Sequence, residues 1–235
     1  MRRVVLLILG LCGSLLFGWQ LVLSANSILQ DGQLAAVSEI SLTEENSLLF
    51  PIAVSDTCLI AQYPVLYEGP YVEDGSDEYV VDVAAIVLFN TARTGIDYAR
   101  VVLQWDQGEY VFEAQMLPPR EAVMVLDKSR QKFQQHQWTG CQGTQQMGEE
   151  SWLDQQVLVV EEADTTTICV QNITDKPLQD IRIYHKSYLL PDELYIGGIT
   201  YCAGIKYLAP GECVQISPFR YMKDYSKIVR ATYRS

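Results

Sequence analysis

The stretch VAAIVLFNTARTGIDYARVVLQWD, residues Val83 to Asp106, is the strongest indication of the fold, because the chain carries a second copy of it. That copy reads TTTICVQNITDKPLQDIRIYHK and runs from Thr165 to Lys186. Asn172 stands in it where Asn90 stands in the first copy. In both copies the asparagine follows an apolar run and precedes a turn, where asparagine side chains bond nearby backbone groups. The repeat therefore predicts two similar structural units.

The correspondence continues beyond each copy with a different spacing. Residues 117–125, LPPREAVMV, match residues 208–216, LAPGECVQI. Both segments are typical of a proline-containing turn followed by a strand whose alternate residues face a core. The second copy is nine residues longer between its two matched segments, and a β unit tolerates an insertion best at a turn. We therefore expect a longer hairpin in the second copy, at Tyr188 to Gly198.

The remaining body also has the pattern of strands. Short runs rich in Val, Ile and Tyr are broken by Asp, Gly, Pro and Asn, and long helical periodicity is absent. The sequence predicts a mainly β fold with two tandem immunoglobulin-like antiparallel β-sandwich units, at 56–130 and 156–235. A single larger sandwich made from both halves is the alternative. Residues 131–155 are rich in glutamine and are interpreted as a linker or loop.

A family resemblance rests on the same motifs. The strand-ending asparagine, the run VVLQWDQGEYV at 101–111 and the Leu-Pro turn after it resemble FxLYD domains, which are small extracytoplasmic β-sandwich modules. Residues 180–221 are similar to membrane-anchored proteins of Gram-positive gut bacteria that have no assigned role. The resemblance implies an envelope-facing module and carries over no catalytic residues.

The amino terminus is typical of a membrane anchor. Arg2 and Arg3 precede twenty uncharged residues, Val4 to Leu23, and twenty helical residues span about 30 Å, the thickness of the hydrocarbon core. We predict a transmembrane signal anchor at 1–25 and a stalk at 26–55. The arginines favour the cytoplasmic side, so the body is expected outside the cell membrane on a single span. A cleaved secretory signal is the alternative, and it places the body in the same compartment.

Charge is spread unevenly along the chain. The net charge of -12 disfavours nucleic acid as a partner. Val4 to Ile181 carries 25 acidic and 7 basic residues, whereas Arg182 to Ser235 carries 4 acidic and 8 basic ones. This asymmetry indicates either that the two halves attract each other or that the basic end meets an acidic partner. Chance surface composition is the simplest interpretation.

Five cysteines follow the anchor. Strand alternation places Cys202 and Cys213 on the same outer face of a hairpin, which favours a disulfide between them in an oxidising compartment. Cys141 has Cys58 and Cys169 as alternative partners, and free, partly buried thiols are the remaining possibility. No CxxC motif is present, which argues against a redox-active dithiol or a structural zinc site.

The sequence nominates no catalytic, cofactor-binding or metal-binding residues. His136 has no carboxylate or nucleophile beside it, and His185 lies between Tyr184 and Lys186 on a predicted strand. We expect solvated or surface positions for both histidines. The acidic segment Glu73 to Glu78 lacks the ligand spacing of a calcium loop, and a solvated loop is expected. We therefore predict that the protein is not an enzyme and needs no cofactor.

Tyrosine is the residue in surplus, with eight of the fourteen between Tyr184 and Tyr233. Tyrosine suits both binding surfaces and half-buried strands. The basic, tyrosine-rich end predicts a partner surface made of Tyr184, Tyr201, Arg220, Tyr221, Lys223 and Tyr225. Together with the anchor, this surface favours a non-catalytic binding module for an envelope protein or an acidic wall polymer. A structural spacer of a surface complex and an envelope hydrolase are the alternatives.

Overall fold

The computed structural model describes residues 52–62, 64–76, 78–134, 138–148, 157–189 and 194–235. The described chain is mainly β, as predicted. Its strands are β1 (Ile52–Ala53), β2 (Leu59–Ala61), β3 (Val65–Pro70), β4 (Tyr79–Asn90), β5 (Ile96–Trp105), β6 (Gly108–Leu117), β7 (Ala122–Leu126), β8 (Trp138–Met147), β9 (Leu158–Glu162), β10 (Ile168–Asn172), β11 (Leu178–Leu189), β12 (Leu194–Leu208), β13 (Cys213–Ile216) and β14 (Ser226–Arg234). The described part contains no helix long and apolar enough to cross a membrane. The predicted anchor and residues 26–51 of the predicted stalk lie outside the described residues.

We name β1 to β8 the first unit and β9 to β14 the second unit. Six strands of the first unit, β2 and β4 to β8, have the same order as the six strands of the second, and β1 and β3 are additional. In the first unit β4 pairs with β2 and β7, while β5 pairs with β6 and β8. In the second unit β10 pairs with β9 and β13, while β11 pairs with β12 and β14. These pairs are antiparallel. The second unit buries an apolar cluster of its own, and the main cluster of the first unit is completed by residues of the second. The repeat in the sequence is therefore a repeat of strand order.

The matched asparagines make the same hydrogen bonds in both units. The Asn90 side chain donates to the carbonyls of Thr94, Leu117 and Pro118, and its oxygen accepts from the Ala92 N–H. The Asn172 side chain bonds the corresponding carbonyls of Lys176, Leu208 and Ala209 and the Thr174 N–H. Both asparagines are fully buried. Each ties a strand end to two turns by satisfying backbone groups that water does not reach.

The turn before the last matched strand is also shared, but not its residue type. Arg120 has a φ of 60° and Gly211, at the equivalent position, has a φ of 72°. A side chain is disfavoured in this left-handed region, whereas glycine adopts it readily. The first unit therefore keeps a strained arginine at a turn that suits glycine.

The longer hairpin of the second unit is confirmed, and it joins the two units. β11 and β12 remain paired out to Leu189 and Leu194. The start of β12 also lies beside β7 in parallel, with Tyr195 opposite Val123. This contact merges strands of both units into one eight-stranded sheet, β1-β2-β4-β7-β12-β11-β14, with β3 beside β4. Tyr195 and Val229 of the second unit are buried in the main apolar cluster of the first.

Two glycines near the start of β12 allow this strand to lie close to the backbone and side chains of the first unit. A Cβ on Gly198 would lie 1.8 Å from the Glu113 carbonyl oxygen of β6. Gly197 has a φ of 82° and lies against Val72, with 3.0 Å from its ideal Cβ position to the valine Cγ2. Any larger residue at position 198 would force β12 and β6 apart.

Ion pairs cross between the units in the direction that the charge asymmetry indicated. Lys227 donates to both carboxylate oxygens of Glu121 at 2.9 Å. Arg230 donates to Asp97 at 2.8 Å, and its side chain is only 12% exposed. Partial burial makes such a pair stronger than an exposed one. Basic residues of the second unit thus hold acidic residues of the first.

Two predicted connecting segments belong to the sheets instead. Residues 138–147 of the predicted linker form β8, which pairs along the whole of β5. Residues 52–53 of the predicted stalk form β1, and Ser55 bridges to Gln142 in β8. The linker and stalk predictions were therefore wrong for these residues. β8 was missed because its inward positions include Gly143 and Gln145, which give no apolar alternation.

Candidate functional site

Two of the six residues predicted as a partner surface, Tyr201 and Arg220, come together. Tyr201 on β12 lies beside the segment 217–225, which follows β13 and carries Arg220 and Tyr221. The Arg220 guanidinium carbon lies 6.0 Å from the Tyr201 ring centroid. We call residues 217–225 the presenting loop.

The other four lie elsewhere, are already engaged or are buried. Tyr184 packs against the apolar cluster of the first unit. Lys223 pairs with Glu162 at 3.2 Å, and the backbone of Tyr225 bonds Tyr188, Met222 and Lys223. Tyr221 is 4% exposed and belongs to the core of the second unit, so its assignment to a partner surface was wrong.

The most exposed large apolar side chain of the described residues was not predicted. Phe219 is 72% exposed at the outer side of the presenting loop. Its ring meets Tyr201 edge-to-face at 6.1 Å, and the Arg220 guanidinium lies 5.4 Å from its centroid. Pro218 before it marked a turn in the sequence, and a phenylalanine at the tip of such a turn was the available signal.

Several contacts fix the presenting loop. Lys223 N–H donates to the Thr165 carbonyl at 2.8 Å, and Tyr221 N–H donates to the Pro218 carbonyl at 3.1 Å. Arg220 donates to the Gly75 carbonyl of the first unit. Arg220 and Asp224 both have positive φ, which bends the chain sharply. These contacts fix the backbone on both sides of Phe219, so its side chain is held in an exposed position.

His185 lies beneath this loop and not at the surface that we expected. It is 1% exposed. Its ring stacks on Tyr201 at 5.3 Å and meets Tyr221 edge-on at 5.5 Å. Nε2 lies 3.2 Å from the Phe219 carbonyl oxygen. Burial lowers the pKa of His185 to about 4, against a smaller opposing effect of that carbonyl, so the ring is neutral at pH 7.

Lys186, the next residue, is buried as well and joins the two units. Its ammonium donates to the carbonyls of Gln115, Gly198 and Ile199 at 2.7–3.1 Å. Thr200 Oγ1 lies 3.3 Å away. Burial lowers the pKa of Lys186 to about 7, and the nearby Glu73 opposes this. Adjacent strand residues normally point to opposite faces, but β11 shifts register between His185 and Ser187.

The acidic segment after Tyr71 is structured by internal partners. The Glu73 carboxylate accepts from the Leu126 N–H at 2.8 Å and the Gly198 N–H at 2.6 Å. Burial raises the pKa of Glu73 to about 7 despite these bonds and the Lys186 charge. Asp74 and Glu78 both pair with Arg130. Among the described residues no group of three or more His, Cys, Asp or Glu side chains is placed to hold a metal.

The disulfide differs from the predicted one. Cys213 bonds Cys169, whose Cα lies 6.4 Å away on β10, and Cys202 is an exposed free thiol. The Cys202–Cys213 prediction was wrong because β13 pairs with β10, whereas β12 belongs to another sheet. Cys58 and Cys141 are also free and half-buried.

No protein-family model matches the chain, and no curated protein matches it in sequence.

Proposed function

We propose that the protein is tethered to the cell membrane by its amino terminus, with a body of two immunoglobulin-like, FxLYD-like sandwich units outside the cytoplasm. We further propose that it binds a partner protein of the cell envelope and catalyses no reaction. The antiparallel strand order of each unit and its enclosed apolar cluster support the sandwich assignment. The Cys169–Cys213 disulfide supports an oxidising compartment.

The observation that carries the binding proposal is the exposure of Phe219. A large apolar ring surrounded by water is unfavourable in an isolated chain, by about 25 cal/mol for each Å² that a partner would cover. The presenting loop nevertheless holds this ring outward beside Tyr201 and Arg220. Aromatic and arginine side chains on a fixed support are typical of the energetic centre of protein–protein interfaces.

The charges favour a protein over an acidic wall polymer. Polyanions are bound by basic side chains that are free to meet them. In the second unit Lys223, Lys227 and Arg230 pair with carboxylates of this same chain. Arg220 donates to a backbone carbonyl. Phe219 is therefore an apolar anchor whose neighbouring cations are already engaged, which fits a protein surface better than a polyanion.

The buried lysine supports a non-catalytic role. A hydroxyl beside a lysine of lowered pKa is the arrangement of a serine–lysine or threonine–lysine dyad. Lys186 and Thr200 have that proximity, at 3.3 Å. However, three backbone carbonyls surround the ammonium as hydrogen-bond acceptors. The Thr200 hydroxyl also donates to the Gln115 carbonyl at 3.2 Å, so its proton is directed at that oxygen and not at the Lys186 nitrogen.

A photo-crosslinking amino acid at position 219 tests the proposal in intact cells. We expect it to capture one envelope protein that the same amino acid at position 207 does not capture. Tyr207 is a matched control because it is exposed, at 53%, and lies in the same unit. With the captured protein purified, Phe219→Ala should weaken binding at least 10-fold and Tyr207→Ala less than threefold. Equal capture at both positions, or equal affinities, would refute the assignment.

A structural spacer is the second candidate, and the joint between the units favours it. A shared sheet, the buried Tyr195 and the ion pairs between units give a stiff body. A spacer needs stiffness and no exposed anchor. The spacer role would be supported by two results together. Phe219→Ala would leave every cellular interaction unchanged, and disrupting the contact between the two units would change them.

A further inference from the structure

His185 is the buried support of the surface that carries Phe219. Its ring lies on β11 between Tyr201 of β12 and Tyr221 of the presenting loop. The irregular pairing of β11 on either side of this residue places the ring inward. His185 contacts Phe219 by a hydrogen bond, because the Phe219 carbonyl oxygen lies 3.2 Å from the His185 Nε2. His185 thus connects a central strand to the exposed loop.

The hydrogen bond fixes the tautomer of the ring. A carbonyl oxygen only accepts, so Nε2 carries the proton and Nδ1 is the bare nitrogen. Nδ1 is buried and has no hydrogen-bond partner among the described residues. Protonation would therefore place a charged N–H in a buried position that offers it no acceptor. The closed loop tolerates the neutral ring and opposes the cationic one.

We propose that His185 makes a pH-dependent contact with the presenting loop. The neutral ring holds the loop closed, and protonation of the ring releases the loop and moves Phe219 away from its exposed position. This inference rests on the proposed function, because it gives the Phe219 surface a regulation. The partner would then be bound near neutral pH and released in acid.

Charged groups lie on the elements packed around the ring. Arg220 on the presenting loop is a cation beside Tyr201, and Lys186 is the adjacent residue of β11. Lys227 of β14 stands opposite Lys186. Two glutamates carry the opposite charge. Glu162 of β9 accepts from Tyr221 Oη at 3.4 Å, and Glu73 lies near Lys186. The released loop would expose His185 to water, where these interactions are screened.

The size of the effect follows from the two states of the ring. The pKa of His185 is about 4 in the closed structure and about 6.5 when solvated. The released state therefore binds more protons, and its population relative to the closed state rises as pH falls below 6.5. Between pH 7 and pH 4.5 this ratio should increase roughly 50-fold.

Hydrogen exchange of the full-length protein in detergent measures the release directly. The reporters are the N–H groups of Tyr221, Lys223 and Tyr225, which are bonded within or beside the loop. After correction for intrinsic exchange, their protection should fall roughly 50-fold from pH 7 to pH 4.5. The β10 amides, Ile168–Asn172, should keep their protection.

Two variants separate titration from packing. His185→Gln keeps an N–H donor for the Phe219 carbonyl and cannot titrate, so its loop protection should be the same at both pH values. His185→Phe keeps an aromatic ring without a donor, and we expect lower protection that is also independent of pH. Wild-type protection that changes less than threefold, or an equal acid loss in either variant, would overturn the proposal. The measurement needs no partner, so a failed cross-link at position 219 would leave its outcome interpretable.

Discussion

Replacing Gly198 by alanine tests the joint between the two units at its tightest point. The new Cβ would lie 1.8 Å from the Glu113 carbonyl oxygen, whereas close C···O contacts in sheets are about 3.3 Å. β12 and β6 would have to separate by about 1.5 Å. A movement of that size breaks the bond from Lys186 to the Gln115 carbonyl. The same Cβ would lie 2.8 Å from Glu73 Oε2, so it also displaces the carboxylate that accepts from Gly198 N–H.

The cost can be estimated from these two bonds. Hydrogen bonds to charged groups contribute about 1.5–3 kcal/mol each, and the buried partners left behind cost more. The restriction of the unfolded chain by alanine returns less than about 1 kcal/mol. We therefore expect Gly198→Ala to lower the free energy of unfolding by about 4 kcal/mol. For a chain of this size the melting temperature should fall by roughly 10 °C.

The assay is urea denaturation of the full-length protein in detergent, with unfolding monitored by far-ultraviolet circular dichroism. Gly204→Ala is the matched control, because Gly204 lies on the same strand and the nearest atom to its Cβ position is 4.0 Å away. That control should stay within about 1 kcal/mol of wild type. A Gly198→Ala protein that is as stable as the Gly204→Ala protein would show that β12 and β6 do not pack as described.

Three further predictions concern stability. Asn172→Asp should destabilise the protein by about 3 kcal/mol, because a carboxylate cannot donate to the three carbonyls that Asn172 bonds. Asn90→Asp should cost the same in chemical denaturation. A difference above about 2 kcal/mol between the two variants would contradict the equivalence of the units. Removing the Cys169–Cys213 disulfide, which closes a separation of 44 residues, should cost up to about 4 kcal/mol, whereas Cys202→Ala should be neutral in the same assay. Arg120→Gly should stabilise by about 0.5 kcal/mol, since it removes a side chain from a left-handed backbone position; a loss of stability on thermal melting would refute the strain.

The repeat was readable because it depends on local chemistry. Asn90 and Asn172 bond backbone groups a few residues away and at one following turn, so the same short motifs recur at the same distances. The longer hairpin at Tyr188 to Gly198 was predicted as a length difference. Its pairing with β7 was not predicted, because a contact between units leaves no periodic signal in either partner.

The candidate site was less predictable, for reasons that lie in particular residues. Strand alternation cannot place both His185 and Lys186 inward, since only the register shift of β11 allows it. Alternation did place Cys213 on an outer face, but its bonded neighbour depends on which strand lies beside β13. Tyr221 and Phe219 are close in sequence and of similar apolar character, yet the bend at Arg220 buries one and exposes the other.

The pairing of β12 with β7 has a consequence for how the chain matures. The apolar cluster of the first unit contains Tyr195 and Val229, which are synthesised only after the whole of β1 to β8. Domains generally fold as they emerge, starting from the amino terminus. Here the first unit cannot complete its core at that stage, and the edge of β7 stays open to wrong partners. Folding of the first unit is therefore delayed until β12 and β14 have emerged, and a chain terminated before Tyr195 is left with an unfinished, aggregation-prone first unit.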